Sequence, residues 1–444
     1  MHSNIVAEAA PAPPAPPAPP ATIRSGRLRS AIAATIGNGF QFYDFFLYAT
    51  ASALIFNTLF FPSSNAALGT MAAFASYAVG FVTRPLGGLV FGRIGDRFGR
   101  KVTLTWTLAL MGVATFSIGL LPTYGQVGVA APALLIGLRM LQGFAAGGEW
   151  GGGMLMATES APEGRRGYYG AWSQAGVGIG FIVSAGVLYL SRLVGQEAFM
   201  TWGWRLPFLA SVVVVVAGMI IRARVPESLE FELGAERSPD RRPMRHVIER
   251  HWPALLMAGG VLLAEMSGPM LSTTVAVAYG QAAGVNGDLL LVAVILSMVA
   301  DTFAMLFFGH LSDKIGRIKV YMFGVISLAL FIYPFFRLEI SGSDAACVAG
   351  FLIVNGVCHA AMIGPQPALL TELFPVSVRA SGLAVSQSLA VMVVGFVPLA
   401  ASALLYVTGS ILSVVGLTVV LCLVSLVALT AASRSSQAGA VAAP

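Results

Sequence analysis

Gly92-Arg93-Ile94-Gly95-Asp96-Arg97-Phe98-Gly99-Arg100-Lys101 is answered, 217 residues further on (309 − 92), by Gly309-His310-Leu311-Ser312-Asp313-Lys314-Ile315-Gly316-Arg317. Glycine, aspartate, a basic residue, glycine and arginine recur in register. A second pair of stretches repeats at nearly the same spacing. Thr158-Glu159, Pro162, Arg166 and Ser173-Gln174 are matched by Thr371-Glu372, Pro375, Arg379 and Ser386-Gln387. Two independent matches at almost one offset predict a chain made of two related halves. Duplicated halves rocking about a central site are a common plan of secondary transporters.

Composition says what surrounds those halves. Of the 444 residues 57% are hydrophobic and 10% charged, with a mean hydropathy of +0.80. A water-soluble domain carries roughly a quarter charged residues, so the solvent here is mostly lipid. Apolar segments fall at 31–60, 67–91, 102–121, 129–157, 168–190, 204–222, 253–280, 288–308, 320–337, 345–371, 380–402 and 408–431. Each is long enough to cross a hydrocarbon layer about 30 Å thick. They are continuously apolar rather than alternating, which excludes a barrel. The expectation is an all-α polytopic membrane protein with twelve transmembrane helices in two pseudo-symmetric six-helix bundles, 31–222 and 253–431. A cytoplasmic linker, 223–252, joins them; a disordered Pro/Ala-rich tail, 1–30, precedes them and a second tail, 432–444, follows.

Charge gives the orientation. The two tails and the even-numbered loops hold 21 Lys and Arg residues, while Arg192 and Arg337 lie in odd-numbered loops. Positive residues collect on the cytoplasmic side, so both termini are expected inside. The basic residues are scattered among short loops rather than gathered on one face, which argues against a nucleic-acid partner. Cys347, Cys358 and Cys422 lie in apolar runs without metal-ligand spacing and read as packing residues. No cleavable signal peptide is read, because the first apolar run is too long for one.

The Gly-x-x-x-Asp-Arg-x-Gly-Arg-Lys stretch, its echo and the twelve-helix plan resemble the major facilitator superfamily. Further stretches resemble its metabolite:proton symporter family: Gly37-Asn38 with Phe42-Tyr43-Asp44-Phe45, Arg84-Pro85-Leu86-Gly87-Gly88, Gly147-Gly148-Glu149-Trp150-Gly151-Gly152, Trp202-Gly203-Trp204-Arg205-Leu206-Pro207-Phe208 and Glu372-Leu373-Phe374-Pro375. The resemblance covers Ala31 to about Thr430, and Ala53–Gly92 is most similar to the shikimate branch. It implies uptake of shikimate, α-ketoglutarate, citrate and related acids, or of proline and betaine. The chain departs from that family at Gln41, where an acidic residue is usual, and at Ala380, where an aromatic often follows the arginine.

Ionisable groups inside the membrane cost at least about 2.5–3.5 kcal/mol each and so need a reason. Asp44 in the first span and Glu265 in the seventh are corresponding carboxylates, candidates for proton coupling or for structural pairing. Asp301 and Glu149 are further candidates for the proton. Arg139 and Arg84 are the buried cations; an arginine fork suits a substrate carboxylate, or an ion pair that fixes helix packing. Arg139 opens an Arg-x-x-Gln-Gly run, with Gln142, similar to a superfamily motif linked to proton transfer. Arg84 and Asp301 occupy matching places in the repeat and are read as meeting across the pseudo-twofold axis or as pairing within their own halves. Asn38, Tyr43, Gln174, Asn355 and His359 are candidate cavity groups. Gly92, Asp96, Arg97, Gly99, Arg100, Asp313 and Arg317 are expected to form gating latches, with glycines making a tight turn and Asp96 capping a facing helix N-terminus.

These readings add up to a proton-coupled importer of a small carboxylated metabolite in the cell inner membrane. It is expected to be monomeric, bound to lipid, with no cofactor besides the proton and no metal. Two alternatives stay open: an importer of a zwitterionic osmolyte, and an exporter of drugs or metabolites. An enzyme is not expected, since no nucleophile–base set or metal cluster is spaced along the chain.

Overall fold

The computed structural model describes residues 42–98, 100–147, 161–224, 251–375 and 378–441, together with 39, 158 and 249. Among these residues all regular structure is helical. The rods are α1 (42–59), α2 (Ala66–Phe98), α3 (Arg100–Leu120), α4 (Ala130–Ala146), α5 (Arg166–Arg192) and α6 (Arg205–Arg224). The second half supplies α7 (Trp252–Ala282), α8 (Gly287–Ile315), α9 (Arg317–Glu339), α10 (Asp344–Glu372), α11 (Arg379–Val394 continued by Val397–Thr408) and α12 (Ile411–Val441). Eight of the described helices are long and apolar enough to cross a membrane, or nine with the bent pair Gln196–Gly203 and Arg205–Ile220. α3 and α4 contribute shorter apolar stretches, Thr105–Leu120 and Ala130–Ala146.

In lipid there is little hydrophobic drive between helices, so their association depends on close packing through small residues. α2 and α4 show how. A Cβ on Gly143 would overlap the carbonyl oxygen of Gly80, one on Gly147 that of Arg84, and one on Gly87 that of Phe144. The two backbones touch because no side chain stands between them. α5 and α8, one from each half, use the same device: a Cβ on Gly178 would overlap Thr302 Oγ1, and Gly309 faces Gly167 and Ala171.

The repeat extends to an irregularity of the backbone. π-turns occupy Ser52–Phe56 in α1 and Leu271–Val275 in α7, 219 residues apart (271 − 52), and the two segments meet. A third, Val354–His359, lies in α10. Such turns often mark functional positions, because the extra residue re-aims the side chains around it. Pro269, four residues after Glu265, has no N–H to donate to the Glu265 carbonyl, so α7 is already weakened there.

The motif stretches differ from the loops expected of them. α2 stays helical through Phe98 and α8 through Ile315, so both motifs are mostly final helical turns. In the second, the turn is confined to Gly316, at φ 101°, a conformation glycine adopts without a Cβ clash. Gly309 serves packing instead.

Candidate functional site

A cavity lies between the halves. Its first-half wall is Phe42, Phe45 and Phe46 of α1, Phe81 and Arg84 of α2, and Gln174, Val177, Gly178 and Phe181 of α5. Opposite stand Glu265, Met266, Pro269 and Met270 of α7, Met298 and Asp301 of α8, His359, Ile363 and Gln366 of α10, and Gln387, Val391 and Val394 of α11. The wall is thus largely apolar, with a polar band concentrated on the second half.

That band is one connected chain. His359 Nδ1 lies 3.0 Å from Asp301 Oδ1 and its Nε2 lies 3.5 Å from Glu265 Oε1. Gln366 Nε2 donates to Glu265 Oε2 at 2.6 Å, and Gln174 Nε2 donates to Gln366 Oε1 at 2.7 Å. All five side chains are buried. A neutral imidazole carries one N–H and one acceptor nitrogen. Facing a carboxylate with each nitrogen, His359 needs one more proton in the cluster, on the ring or on a carboxyl, for both contacts to be attractive. From Glu265 the chain reaches Gln174 on α5, so it spans the boundary between the halves.

The other groups expected here are distributed around it. Asp301 pairs with His359 inside its own half, as one of its two readings had it, and Arg84 lines the same cavity. Arg84 lies over the rings of Phe81 and Phe45, 5.4 and 5.6 Å from their centroids. A smaller recess within the first half is lined by Asp44, Arg84, Arg139 and Gln142. There Arg139 donates to the Tyr77 carbonyl at 3.3 Å and to Gln142 Oε1 at 3.2 Å, and Gln142 donates to Thr115 Oγ1 at 2.6 Å. The Tyr48 and Tyr77 rings, stacked on each other with centroids 6.1 Å apart, both lie against its guanidinium, at 4.4 and 4.6 Å. Cation–π contact of this kind is worth about 2 kcal/mol when desolvated.

Two candidates are committed elsewhere. Tyr43 donates its hydroxyl to the Pro207 carbonyl at 2.6 Å, tying α1 to α6, and it does not line the cavity. Asn355 accepts from Ser272 at 2.8 Å and donates to Ser297 at 2.9 Å, joining α7, α8 and α10 away from the cavity wall. Both are polar groups satisfying polar groups, which burial in lipid demands. Asn38, Gly99 and Glu149 lie outside the described residues. Gly92, Asp96 and Arg97 fall on the last turns of α2, and Arg100 opens α3. Gln366 is the site residue that the sequence reading missed; its signal is weak, a single amide between two prolines, Pro365 and Pro367.

The second motif joins α8 to the N-terminus of α5. Asp313 Oδ1 and Oδ2 accept the backbone N–H groups of Gly167 and Tyr168 at 2.8 and 2.9 Å, capping the N-terminus of α5 from the other half. Unpaired N–H groups and the helix dipole both favour a carboxylate there. Arg317 lies 3.8 Å from Asp313 and forms an ion pair with Glu372. At the opposite end of the same two helices Arg192 Nε meets Asp288 Oδ1 at 2.6 Å. α5 and α8 are therefore tied together at both ends.

Asp313→Asn keeps at most one acceptor for the two N–H groups and removes the charge. The expected loss is about 1 kcal/mol, about a fivefold shift toward the state open at that end. A cysteine placed at Thr302, between α5 and α8, should then react several-fold faster with a soluble thiol reagent; the native cysteines are all buried. An unchanged rate would remove Asp313 from the latch.

Comparison with known proteins gives the family and the fold. Residues 30–242 match the family model described as sugar (and other) transporter, and 257–442 match the Major Facilitator Superfamily model. The chain is 38% identical to the shikimate transporter of Escherichia coli, over 89% of this chain and 92% of that one. It is 33% identical to the proline/betaine transporter of Salmonella typhimurium, over 85% of this chain and 77% of that one. The partially occluded inward-open structure of the xylose transporter XylE from E. coli superposes with a TM-score of 0.70 at 18% identity, covering 91% of this chain and 97% of that one. The chain is a multi-pass membrane protein, not an enzyme, and it belongs to the major facilitator superfamily, among its sugar and metabolite transporters.

Proposed function

We propose that this chain is a proton-coupled importer of a small carboxylated metabolite, working by alternating access across the inner membrane. The reading has twelve spans in two six-helix bundles, with both termini in the cytoplasm. The observation that carries it is the Asp301–His359–Glu265 cluster on the cavity wall, linked through Gln366 to Gln174 of the other half. A cluster that needs one proton beyond the neutral imidazole's own for both contacts to be attractive serves as the coupling site. Gaining or losing that proton changes what Glu265 can accept from Gln366, and so reaches the contact between the halves. Arg84, on the facing wall, supplies the charge for a substrate carboxylate. Asp44 beside Arg139 is a second protonatable pair, one recess away. The Asp313 cap and the Arg192–Asp288 pair serve as gates at the cytoplasmic and outer ends of α5 and α8. Resemblance supports the substrate class, because the shikimate transporter is a relative over nearly the whole chain.

A zwitterion such as proline or betaine is the second reading. Relatives that carry these solutes favour it, as do the five phenylalanines on the wall, which could face a quaternary ammonium. Purified protein in proteoliposomes, given labelled shikimate and labelled proline, separates the two. Accumulation of the acid above equilibrium under an inward proton gradient, collapsed by a protonophore, is the expected result. Uptake that only equilibrates, or that ignores the protonophore, would overturn proton coupling.

A further inference from the structure

Glu339, the last residue of α9, is 2% exposed, and among the described residues neither of its carboxyl oxygens has a hydrogen-bond partner. It follows the apolar stretch 320–337 and does not line the central cavity. It stands at the end of the helices that carries the Arg192–Asp288 pair, packed against the corner where α7 turns into α8. A Cβ on Gly280 would lie 2.6 Å from Glu339 Oε1 and 3.1 Å from Leu290, so the carboxyl rests on bare backbone. Beyond Gly280 the chain turns back tightly, with the Val285 N–H donating to the Gly280 carbonyl at 2.9 Å, and reaches Asp288 three residues later. The same stretch of α7, Ala276–Ala282, touches the π-turn of α1 in the first half. The titratable and charged groups around Glu339 are Tyr279 of α7, Cys347 and Asp344 of α10, Arg337 of α9 itself and, on α8, Asp288, which Arg192 engages. None of them donates to it, and α12 carries no charged residue before Arg434.

We infer that Glu339 is a second proton site, which holds its proton while the outer ends of the halves are together and releases it when they part. The inference rests on the alternating-access reading, with this end of the bundle facing outward. Burying an ionised carboxylate without a hydrogen bond is strongly unfavourable, and burying a neutral carboxyl is far less so. Parting the ends takes the α7–α8 corner away from α1 and breaks the Arg192–Asp288 pair, which lifts Gly280 off the carboxyl and admits water. The O–H bond then breaks, the proton passes to the outside water and the carboxylate is hydrated. Linkage sets the sign: the closed end binds the proton more tightly, so acid favours closure and alkali favours opening. Below about pH 4 both states are protonated and pH has no leverage. Above that, each pH unit multiplies the open-to-closed ratio by up to about tenfold, until the closed state ionises as well.

Spin labels attached through Gln196→Cys and Ala283→Cys, exposed positions at this end, one in each half, report opening of the full-length protein in detergent by pulsed dipolar spectroscopy. The native cysteines are buried, and the measurement needs neither substrate nor gradient. With Glu339 in place, the long-distance population should grow at least about tenfold relative to the short one as pH rises from about 5 to about 8. Glu339→Gln, of the same size but permanently neutral, should keep the short distance across that range; Glu339→Met serves the same purpose if the glutamine variant fails to fold. Infrared difference spectra over the same range should show a protonated-carboxyl band that disappears with rising pH and that the variant lacks. A distance ratio that ignores pH, or that rises equally in the neutral variant, would overturn the inference. Failure of the importer reading shows separately, as proteoliposome uptake that ignores a protonophore, so the two failures are told apart.

Discussion

Glu265→Gln is expected to abolish accumulation while sparing exchange. Glutamine matches glutamate in size and can still offer a carbonyl oxygen to Gln366 Nε2, now 2.6 Å from Glu265 Oε2. It can neither take up nor release a proton, and its neutral amide no longer holds the charge of a protonated His359, whose Nε2 lies 3.5 Å from Glu265 Oε1. If the proton moves with the substrate, a gradient of two pH units sustains about 100-fold accumulation for one proton per electroneutral cargo. In the variant the steady-state ratio should fall to about 1. Exchange of labelled for unlabelled substrate needs no net proton movement, so it should continue within a few-fold of wild type. Proteoliposomes measured in both modes give the answer. Wild-type accumulation in the variant would take Glu265 out of the coupling step and leave Asp44 as the carboxylate to test.

The two modes also separate the roles of neighbouring groups. A residue that only positions substrate lowers both together, whereas one that couples lowers accumulation alone. Gln174 and Gln366 make the bridge from Glu265 across the boundary between halves. Loss of either amide should therefore slow exchange too, because the link between proton and helix movement runs through them.

Much of the architecture was legible in the residues because lipid imposes simple rules. Continuous apolar runs give helices, and the paired Gly-Asp-Arg stretches reveal the duplication. The sequence reading gave the capping role to Asp96; the cap the structure describes is made by its repeat counterpart Asp313 on the α5 N-terminus, where a carboxylate suits unpaired N–H groups. Which polar groups face the cavity was less legible. Tyr43 and Asn355 sit among residues that line it, yet a rotation of part of a helical turn hands one to Pro207 and the other to two serines. Asn355 lies within the π-turn of α10, which changes its direction relative to the regular spacing, whereas Tyr43 is simply on the face of α1 turned away from Phe42, Phe45 and Phe46. Gln366 was missed for a related reason: an isolated amide acquires meaning only when its two partners, one from each half, are brought to it.

Arg139→Ala is expected to cost folded protein, and Arg139→Lys to cost transport. Arg139 is 4% exposed, held by two hydrogen bonds and in contact with two tyrosine rings. Truncation to alanine leaves the Gln142 oxygen and the Tyr77 carbonyl without this donor, empties the space beside the rings, and removes the nearby positive charge from Asp44, which lines the same recess. Breaking a buried charge arrangement from one side costs about 3–5 kcal/mol, a large share of the stability of most folds. The variant should show a strongly reduced yield of monodisperse protein in detergent. Lysine keeps the charge, so the fold should survive. An ammonium on a flexible stem cannot reach both the Tyr77 carbonyl and Gln142 Oε1 with a rigid fork while keeping contact with the Tyr48 and Tyr77 rings. Helix α4 would lose its fixed position against α2, and transport should fall by about tenfold or more, the equivalent of one to two lost polar contacts. Wild-type transport by Arg139→Lys would show that only the charge matters there, and would point to Asp44 rather than the aromatic faces as the group Arg139 serves.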